Sequence, residues 1–522
     1  MKSVSIVEAM SDPKLFAGFF KRRLLRGDTW AAWKTFLRGL FALPMSDADK
    51  ELFRRHTGRD PRAEAFREAY VIVGRRGGKS LVAALIATFL AAFKNYDDVL
   101  APGEVGTLAV IAADRRQARV ILSYVNAFFA SPLLRAMVAE QLKESLVLTN
   151  RVRIEIHTCS FRSTRGYSLV GVVADETAFW ASDTSANPDF EVLNALRPGL
   201  ATTNGLLLCI SSPYSKRGAL YQAYRDHFGK NDAPVLVWKA SSREMNPSLS
   251  AATVALAYAR DAASARSEYG GEFRDDLAAF ISLELVESRV IPHRLEELPV
   301  QGRNYFAFVD PSGGRADSMC LAIAHVKPHA KTEMVILDFA REVQPPFSPE
   351  TIVSEFCETL KRYRISEVCG DAYAGDWPRE QFAKRGIAYR VADKSKSELY
   401  LELLPSLTSG RVELLDNKRL VTQFASLERR TSRSGRDSVD HPANGHDDLA
   451  NAVAGALVYA ARVASAAENV LAVLVTDRVR IDYGSGPAGT AVPQRIISAA
   501  SEKPKLLPPD HPSFWKPRGG RL

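Results

Sequence analysis

Apolar residues in the first half of the chain fall into short blocks separated by longer amphipathic stretches. Tyr70-Val71-Ile72-Val73 closes a strand expected over residues 68–73, because consecutive β-branched and aromatic residues suit a strand covered on both faces. A run of strong helix formers then extends from Ser80 to about Phe93. Further strand-like runs occupy residues 107–112, 152–157, 169–174 and 206–210, with a helical pattern at 114–130. Apolar strands alternating with helices predict a mainly parallel α/β sheet. Upstream, Trp30, Trp33, Phe36, Leu37 and Leu40 recur at helical spacing, so residues 1–60 read as helices.

Between residues 270 and 300 the strand signal thins and charge rises, ending in Leu298-Pro299-Val300-Gln301-Gly302. A second pattern then begins. A strand is expected at 305–310, a hairpin at 318–326 and 333–339, an amphipathic helix at 348–364, a short strand at 367–370 and a last helix from about 446 to 463. Three strands, a helix, a strand and further helices is the order of a ribonuclease H-like domain. The expected organisation is a helical arm at 1–60, an α/β nucleotide domain at 61–280, a linker at 281–302, a ribonuclease H-like domain at 303–466, and a Pro/Gly-rich tail at 467–522.

Composition changes this picture little. The chain has 522 residues, 46% hydrophobic and 25% charged, which fits a folded protein of about two to four domains and excludes wholesale disorder. The apolar run at 81–93 is too short to span a bilayer, and 453–475 is interrupted by Arg462 and Glu468. No secretory leader pattern follows Lys21-Arg22-Arg23. Five scattered cysteines lack metal or redox spacing and read as buried thiols of a reducing compartment. The net charge of +9 is mild but uneven: residues 1–60 carry 12 Lys/Arg against 7 Asp/Glu, and residues 468–522 carry 8 against 5. Two basic extensions would be compatible with a polyanionic partner, or would simply be solvated.

The chemistry is in the motifs. Gly74-Arg75-Arg76-Gly77-Gly78-Lys79-Ser80 lies between a strand and a helix, where backbone amides and the helix dipole face an anion. In a phosphate loop, Gly77 and Gly78 let the backbone wrap the phosphates, Lys79 reaches the β/γ oxygens of ATP and Ser80 holds Mg²⁺. The usual first glycine would stand at position 73, which is Val73; Gly74 is one residue late. The run 169–174 ends in Asp175-Glu176, where Asp175 would serve the Mg²⁺ shell and Glu176 would orient and deprotonate water. Ser211-Ser212-Pro213 closes the next strand and would sense loss of the γ-phosphate. Arg75 and Arg76 lie within reach of the γ-phosphate in cis. Arg162 and Arg165 precede the Asp175 strand, and Arg165 is a candidate finger for a neighbouring subunit, or contacts DNA, or is solvated.

Downstream, Asp310 and Asp371 each end a strand, and Asp447-Asp448 opens the last helix. Carboxylates distant in sequence, each at the end of an element, are what a two-metal Mg²⁺ or Mn²⁺ nuclease site requires. Asp447 and Asp448 both qualify, with Asp448 favoured because one of two adjacent Asp residues usually caps. Asp317, Asp376 and His446 are candidates for the surroundings of that site.

These pieces, in this order over residues 60–465, strongly resemble the large subunit of tailed-phage terminases. The resemblance implies an ATPase that drives double-stranded DNA into a procapsid, and an endonuclease that cuts concatemeric DNA. It also implies a portal protein and a small terminase subunit as partners, a pentamer on the portal, and residence in the host cytoplasm and transiently at the portal vertex. Terminases often carry an adenine-reading glutamine upstream of the loop, yet the first glutamine here is Gln117; Trp30 and Tyr70 are the aromatic alternatives. Two other readings stay open: a helicase or translocase fused to a nuclease in repair or defence, and a non-catalytic capsid-assembly protein.

Overall fold

The computed structural model describes residues 4–20, 28–159, 166–180, 188–315, 317–329, 332–372, 376–431, 437–442 and 445–476. The chain divides into two compact units, Met1–Ala466 and Ala467–Leu522. Of the second, only a helix end reaching Thr476 is described. No described helix is long and apolar enough to cross a membrane.

Eight strands form the first sheet: β1 (Glu68–Val73), β2 (Gly106–Ala112), β3 (Val138–Gln141), β4 (Ser145–Leu148), β5 (Val152–Thr158), β6 (Ser168–Asp175), β7 (Leu206–Ser211) and β8 (Leu236–Ala240). Their order is β3-β4-β5-β2-β6-β7-β1-β8. The body of the sheet is parallel, and the β3–β4–β5 edge is antiparallel. Strands β1, β2, β5, β6 and β7 stand where the apolar runs predict them. The edge pair β3 and β4 escapes that pattern because an edge strand mixes polar and apolar residues, and β3 is largely exposed. The helix Lys79–Phe93 is buried around almost its whole circumference, as a helix of near-uniform Ala, Leu, Ile and Val requires.

The helical N-terminal segment packs against the first sheet. Ile6, Met10, Phe16, Trp33, Phe36, Leu40 and Phe53 share one core with the helix Lys79–Phe93 and with β1 and β2. Much of the segment's positive charge is already matched, by the pairs Lys34–Asp28, Arg38–Asp49, Lys50–Asp47 and Arg54–Asp60. Arg59 is buried and donates to the Ala233 carbonyl at 2.8 Å. These helices are a wall of the first domain, and five of the segment's described basic residues are paired or buried within the fold.

The second domain holds a six-stranded sheet. Three strands run antiparallel, β10 (Tyr305–Asp310), β11 (Met319–His329) and β12 (Thr332–Val343), after the short β9 (Leu277–Ala279). Then β13 (Glu367–Gly370) and β14 (Ala388–Val391) add in parallel beyond β10, and β15 (Val412–Glu413) closes the other edge. The order β14-β13-β10-β11-β12-β15 contains the ribonuclease H-like arrangement, with β10 central. In the helix Asp448–Thr476, longer than the stretch expected from the sequence, residues 449–460 pack their buried side chains on this sheet.

The expected linker is folded. Phe280, Ile281 and Val286 lie in the second domain's core. Strand β9 pairs with β16 (Glu428–Thr431), which pairs with β17 (Asp437–Asp440) in a separate three-stranded sheet. All five cysteines are free and buried.

Candidate functional sites

The loop after β1 turns through left-handed backbone at Arg76 (φ +64°) and Gly78 (φ +95°) before the helix Lys79–Phe93 begins. Gly78 is needed there twice over: φ is positive, and a Cβ would meet the Trp30 ring at 3.0 Å. A Cβ at Gly77 would meet Val73 Cγ1 at 2.5 Å, and one at Gly74 would strike Ser242. The loop is braced from outside. Trp33 Nε1 donates to the Gly77 carbonyl at 2.8 Å, Ser242 Oγ to the Arg75 carbonyl at 2.6 Å, and Asn246 Nδ2 to the Arg76 carbonyl at 2.8 Å.

Lys79 is 7% exposed. Its ammonium donates to the Val73 carbonyl at 2.9 Å and to Ser212 Oγ at 2.8 Å, and lies 3.4 Å from Glu176 Oε1. Glu176 itself sits in left-handed backbone (φ +50°) just past β6. Its Oε2 accepts from the Ser212 amide at 2.9 Å and from Ser211 Oγ at 3.1 Å. The sheet order explains the meeting: β7 lies between β1 and β6, so the ends of three adjacent strands converge. Lys79, Glu176, Ser211 and Ser212, distant in sequence, form one polar cluster.

Asp175 is buried, and its Oδ1 has no hydrogen-bond partner. Burial, with the neighbouring Glu176 charge, pushes its carboxyl up to about 7 against the opposing pull of Lys79. A buried carboxylate oxygen without a donor is a fit for a hard cation such as Mg²⁺, and Ser80 begins the same helix one residue after Lys79. Of the two loop arginines, Arg75 is exposed and pairs with Glu268 (Nε to Oε2, 2.8 Å). Arg76 is exposed. Arg162 and Arg165 lie outside the described residues. Trp30 and Tyr70 are both buried in the core, Trp30 edge-on to Phe20 and Tyr70 donating to Glu68 at 3.0 Å, so neither offers a free platform for a base.

In the second domain, Asp310 and Asp371 end the adjacent parallel strands β10 and β13, which pair Val309 with Gly370. Asn451, one turn into the helix Asp448–Thr476, spans them: its Nδ2 donates to Asp310 Oδ2 at 2.8 Å and to Asp371 Oδ2 at 2.6 Å. Asp448 Oδ2 accepts from the Ser318 amide at 3.1 Å. Burial raises the carboxyls of Asp310, Asp371 and Asp448 above their ordinary range; the Asp371 charge adds to the effect on Asp310, and the Asn451 amide opposes it. Three carboxylates made costly to ionise by burial are a hard-oxygen donor set that a divalent cation would suit.

Asp447 sits differently from Asp448. It is buried, with Tyr400 OH donating to Oδ2 at 2.9 Å and Lys396 Nζ to Oδ1 at 3.1 Å, while its carbonyl accepts from the Asn451 amide at 2.8 Å. Both carboxylate oxygens are therefore engaged, whereas Asp448 has the Ser318 amide on Oδ2, and the charges of both residues act on Asp310. Asp317 and His446 lie close enough to Asp448 to act on its charge. Asp376 instead precedes the helix Trp377–Ala383 and pairs with Arg379 at 3.4 Å.

Two tighter groups occur among the described residues, Glu297–His325–Asp338 and Asp440–His441–Asp447. Both are already matched by cations. Arg303 and Arg294 approach Glu297 at 3.1 and 3.6 Å, and His325 Nδ1 meets both oxygens of Asp338 at 2.8 Å. Lys396 approaches Asp440 at 2.9 Å and Asp447 at 3.1 Å.

No protein-family model and no curated protein matches this chain. Among solved structures it is similar to the large terminase of bacteriophage HK97, at 16% identity over 88% of this chain and 99% of that one, with a TM-score of 0.39. It is also similar to a large terminase from a thermophilic bacteriophage, at 11% identity over 81% of this chain and 97% of that one, TM-score 0.36. It is similar too to the large terminase nuclease of thermophilic phage G20c with bound magnesium, at 17% identity over 34% of this chain and 98% of that one, TM-score 0.29.

Proposed function

We propose that this chain is a terminase large subunit, an ATPase that drives double-stranded DNA into a procapsid and a metal-dependent endonuclease that cuts it. The observation that supports this most is the meeting of Lys79 with Ser212 and Glu176 at the ends of adjacent strands, on the same chain as the Asp310–Asp371–Asp448 group.

In the nucleotide site, the Gly77-Gly78 backbone would wrap the phosphates of ATP, and Lys79 would exchange the Val73 carbonyl and Ser212 Oγ for phosphate oxygens. That exchange would free Ser212 Oγ and Glu176 Oε1 from Lys79. Glu176, held by the Ser212 amide and Ser211 Oγ, orients the attacking water and takes its proton. Ser80 and Asp175 would hold Mg²⁺, which supplies neutralisation of charge on the phosphates. Arg76, exposed on the loop, is better placed than Arg75 to meet the γ-phosphate, and Arg165 is retained as the finger offered to a neighbour.

In the nuclease site, Asp310, Asp371 and Asp448 would hold Mg²⁺ or Mn²⁺, which stabilises the attacking and leaving oxygens of a phosphodiester. Duplex DNA would be held mainly through its phosphates, so binding should weaken steeply with salt. A portal protein, a small terminase subunit and four further copies of this chain are the proposed partners, at the portal vertex in the host cytoplasm.

The test separates the two sites. Lys79→Ala should abolish phosphate release from ATP and leave Mn²⁺-dependent plasmid cleavage intact. Asp310→Asn should do the reverse, and continued cutting by that variant would overturn the metal assignment.

A further inference from the structure

The helix that carries Asp448 carries a second residue into the same carboxylate group. Asn451 follows Asp448 by three positions, so both project from one face of the helix. Asn451 is 1% exposed, and its single amide nitrogen reaches Asp310 at 2.8 Å and Asp371 at 2.6 Å. Each bond takes Oδ2 and leaves Oδ1 of the same carboxylate outside it. The amide oxygen of Asn451 is itself buried without a partner, so the residue is not held there by bonds on its other side. Two buried like charges would otherwise rotate apart; one neutral fork holds them at a fixed spacing without adding a cation that would compete with a metal.

We infer that Asn451 is a positioning residue of the nuclease centre, which aligns Asp310 and Asp371 for a divalent cation without ligating the cation itself. The inference rests on the nuclease reading of that centre. Groups that orient metal ligands typically alter metal affinity by about 10–100-fold when removed.

The probe is Mn²⁺ alone, followed on the full chain by the electron paramagnetic resonance signal of bound ion. Asp310→Asn supplies the background from any other site. Asn451→Leu keeps the side-chain volume and removes both donors, and Asn451→Ala removes volume as well. Both should lose Mn²⁺ affinity by about 10-fold or more while ATP hydrolysis and the unfolding midpoint of the leucine variant stay near wild type. Wild-type Mn²⁺ affinity in the leucine variant would overturn the inference and leave the nuclease reading standing. Wild-type Mn²⁺ binding by Asp310→Asn would instead sink the nuclease reading, and this inference with it.

Discussion

Arg217 donates to the carboxylate of Glu428 across 2.8 Å, and Glu428 is only 1% exposed. Tyr214 OH adds a second donor at 3.0 Å. Tyr214 and Arg217 follow directly on Ser211-Ser212-Pro213 in the nucleotide domain, whereas Glu428 opens β16 opposite Asp440, the residue that shares Lys396 with Asp447. The junction thus ties the segment beside Lys79 to the hairpin beside Lys396 and Asp447.

Removing Arg217 strands a buried carboxylate. Arg217→Ala should destabilise the chain by about 3 kcal/mol, and Arg217→Ala with Glu428→Gln by clearly less than the sum of the single changes. Chemical denaturation of the four proteins of the cycle measures this; additive losses would mean the two residues do not interact.

The raised carboxyl of Asp175 gives a pH dependence with a definite sign. Its folded value, about 7, lies above its ordinary 3.8, so between those values the folded chain binds the extra proton and stability falls as pH rises. The stabilising contribution is complete below the ordinary value and lost as pH climbs through about 7. Metal-free Asp175→Asn protein should therefore lose less stability than wild type between pH 5 and 8, read from denaturation midpoints across that range.

The Trp33 bond to the Gly77 carbonyl is a brace on the phosphate loop from a residue 44 positions away. Trp33→Phe retains most of the ring packing and removes this bond, at a cost of about 1 kcal/mol. If the bond shapes the loop for phosphate, ATP should bind roughly fivefold more weakly by titration calorimetry.

Gly455 lies where the long helix crosses β10, and a Cβ there would collide with the Phe308 ring. Gly455→Ala should destabilise the second domain by about 1–3 kcal/mol through overpacking. Because the same helix presents Asp448 and Asn451 to Asp310, Mn²⁺ affinity should drop as well. A variant of unchanged stability would show that the helix shifts freely on the sheet.

What the sequence revealed follows from what is local. A strand followed by Gly-Gly-Lys-Ser, and strands that stop on Asp175, Asp310 and Asp371, advertise themselves in a few consecutive residues, and the sheets put them where the alternation of apolar blocks implied. Asn451 had no such signal: it is one polar residue in the first turn of an Ala-rich helix, and its meaning comes from β10 and β13, 80 to 141 positions away. The partners of Asp447 had no local signal either, since Lys396 and Tyr400 lie 51 and 47 positions away. A count of Lys and Arg over residues 1–60 does not register that Lys34, Arg38, Lys50 and Arg54 are paired with nearby carboxylates or that Arg59 is buried.

Packaging of DNA into portal-bearing empty procapsids tests the central claim most directly. With ATP, the wild-type chain should render linear duplex DNA resistant to added nuclease, Lys79→Ala should protect none, and Asp310→Asn should still protect DNA supplied with free ends. Protection by Lys79→Ala equal to wild type, or strand separation of the duplex during ATP hydrolysis, would contradict a packaging motor built on this loop.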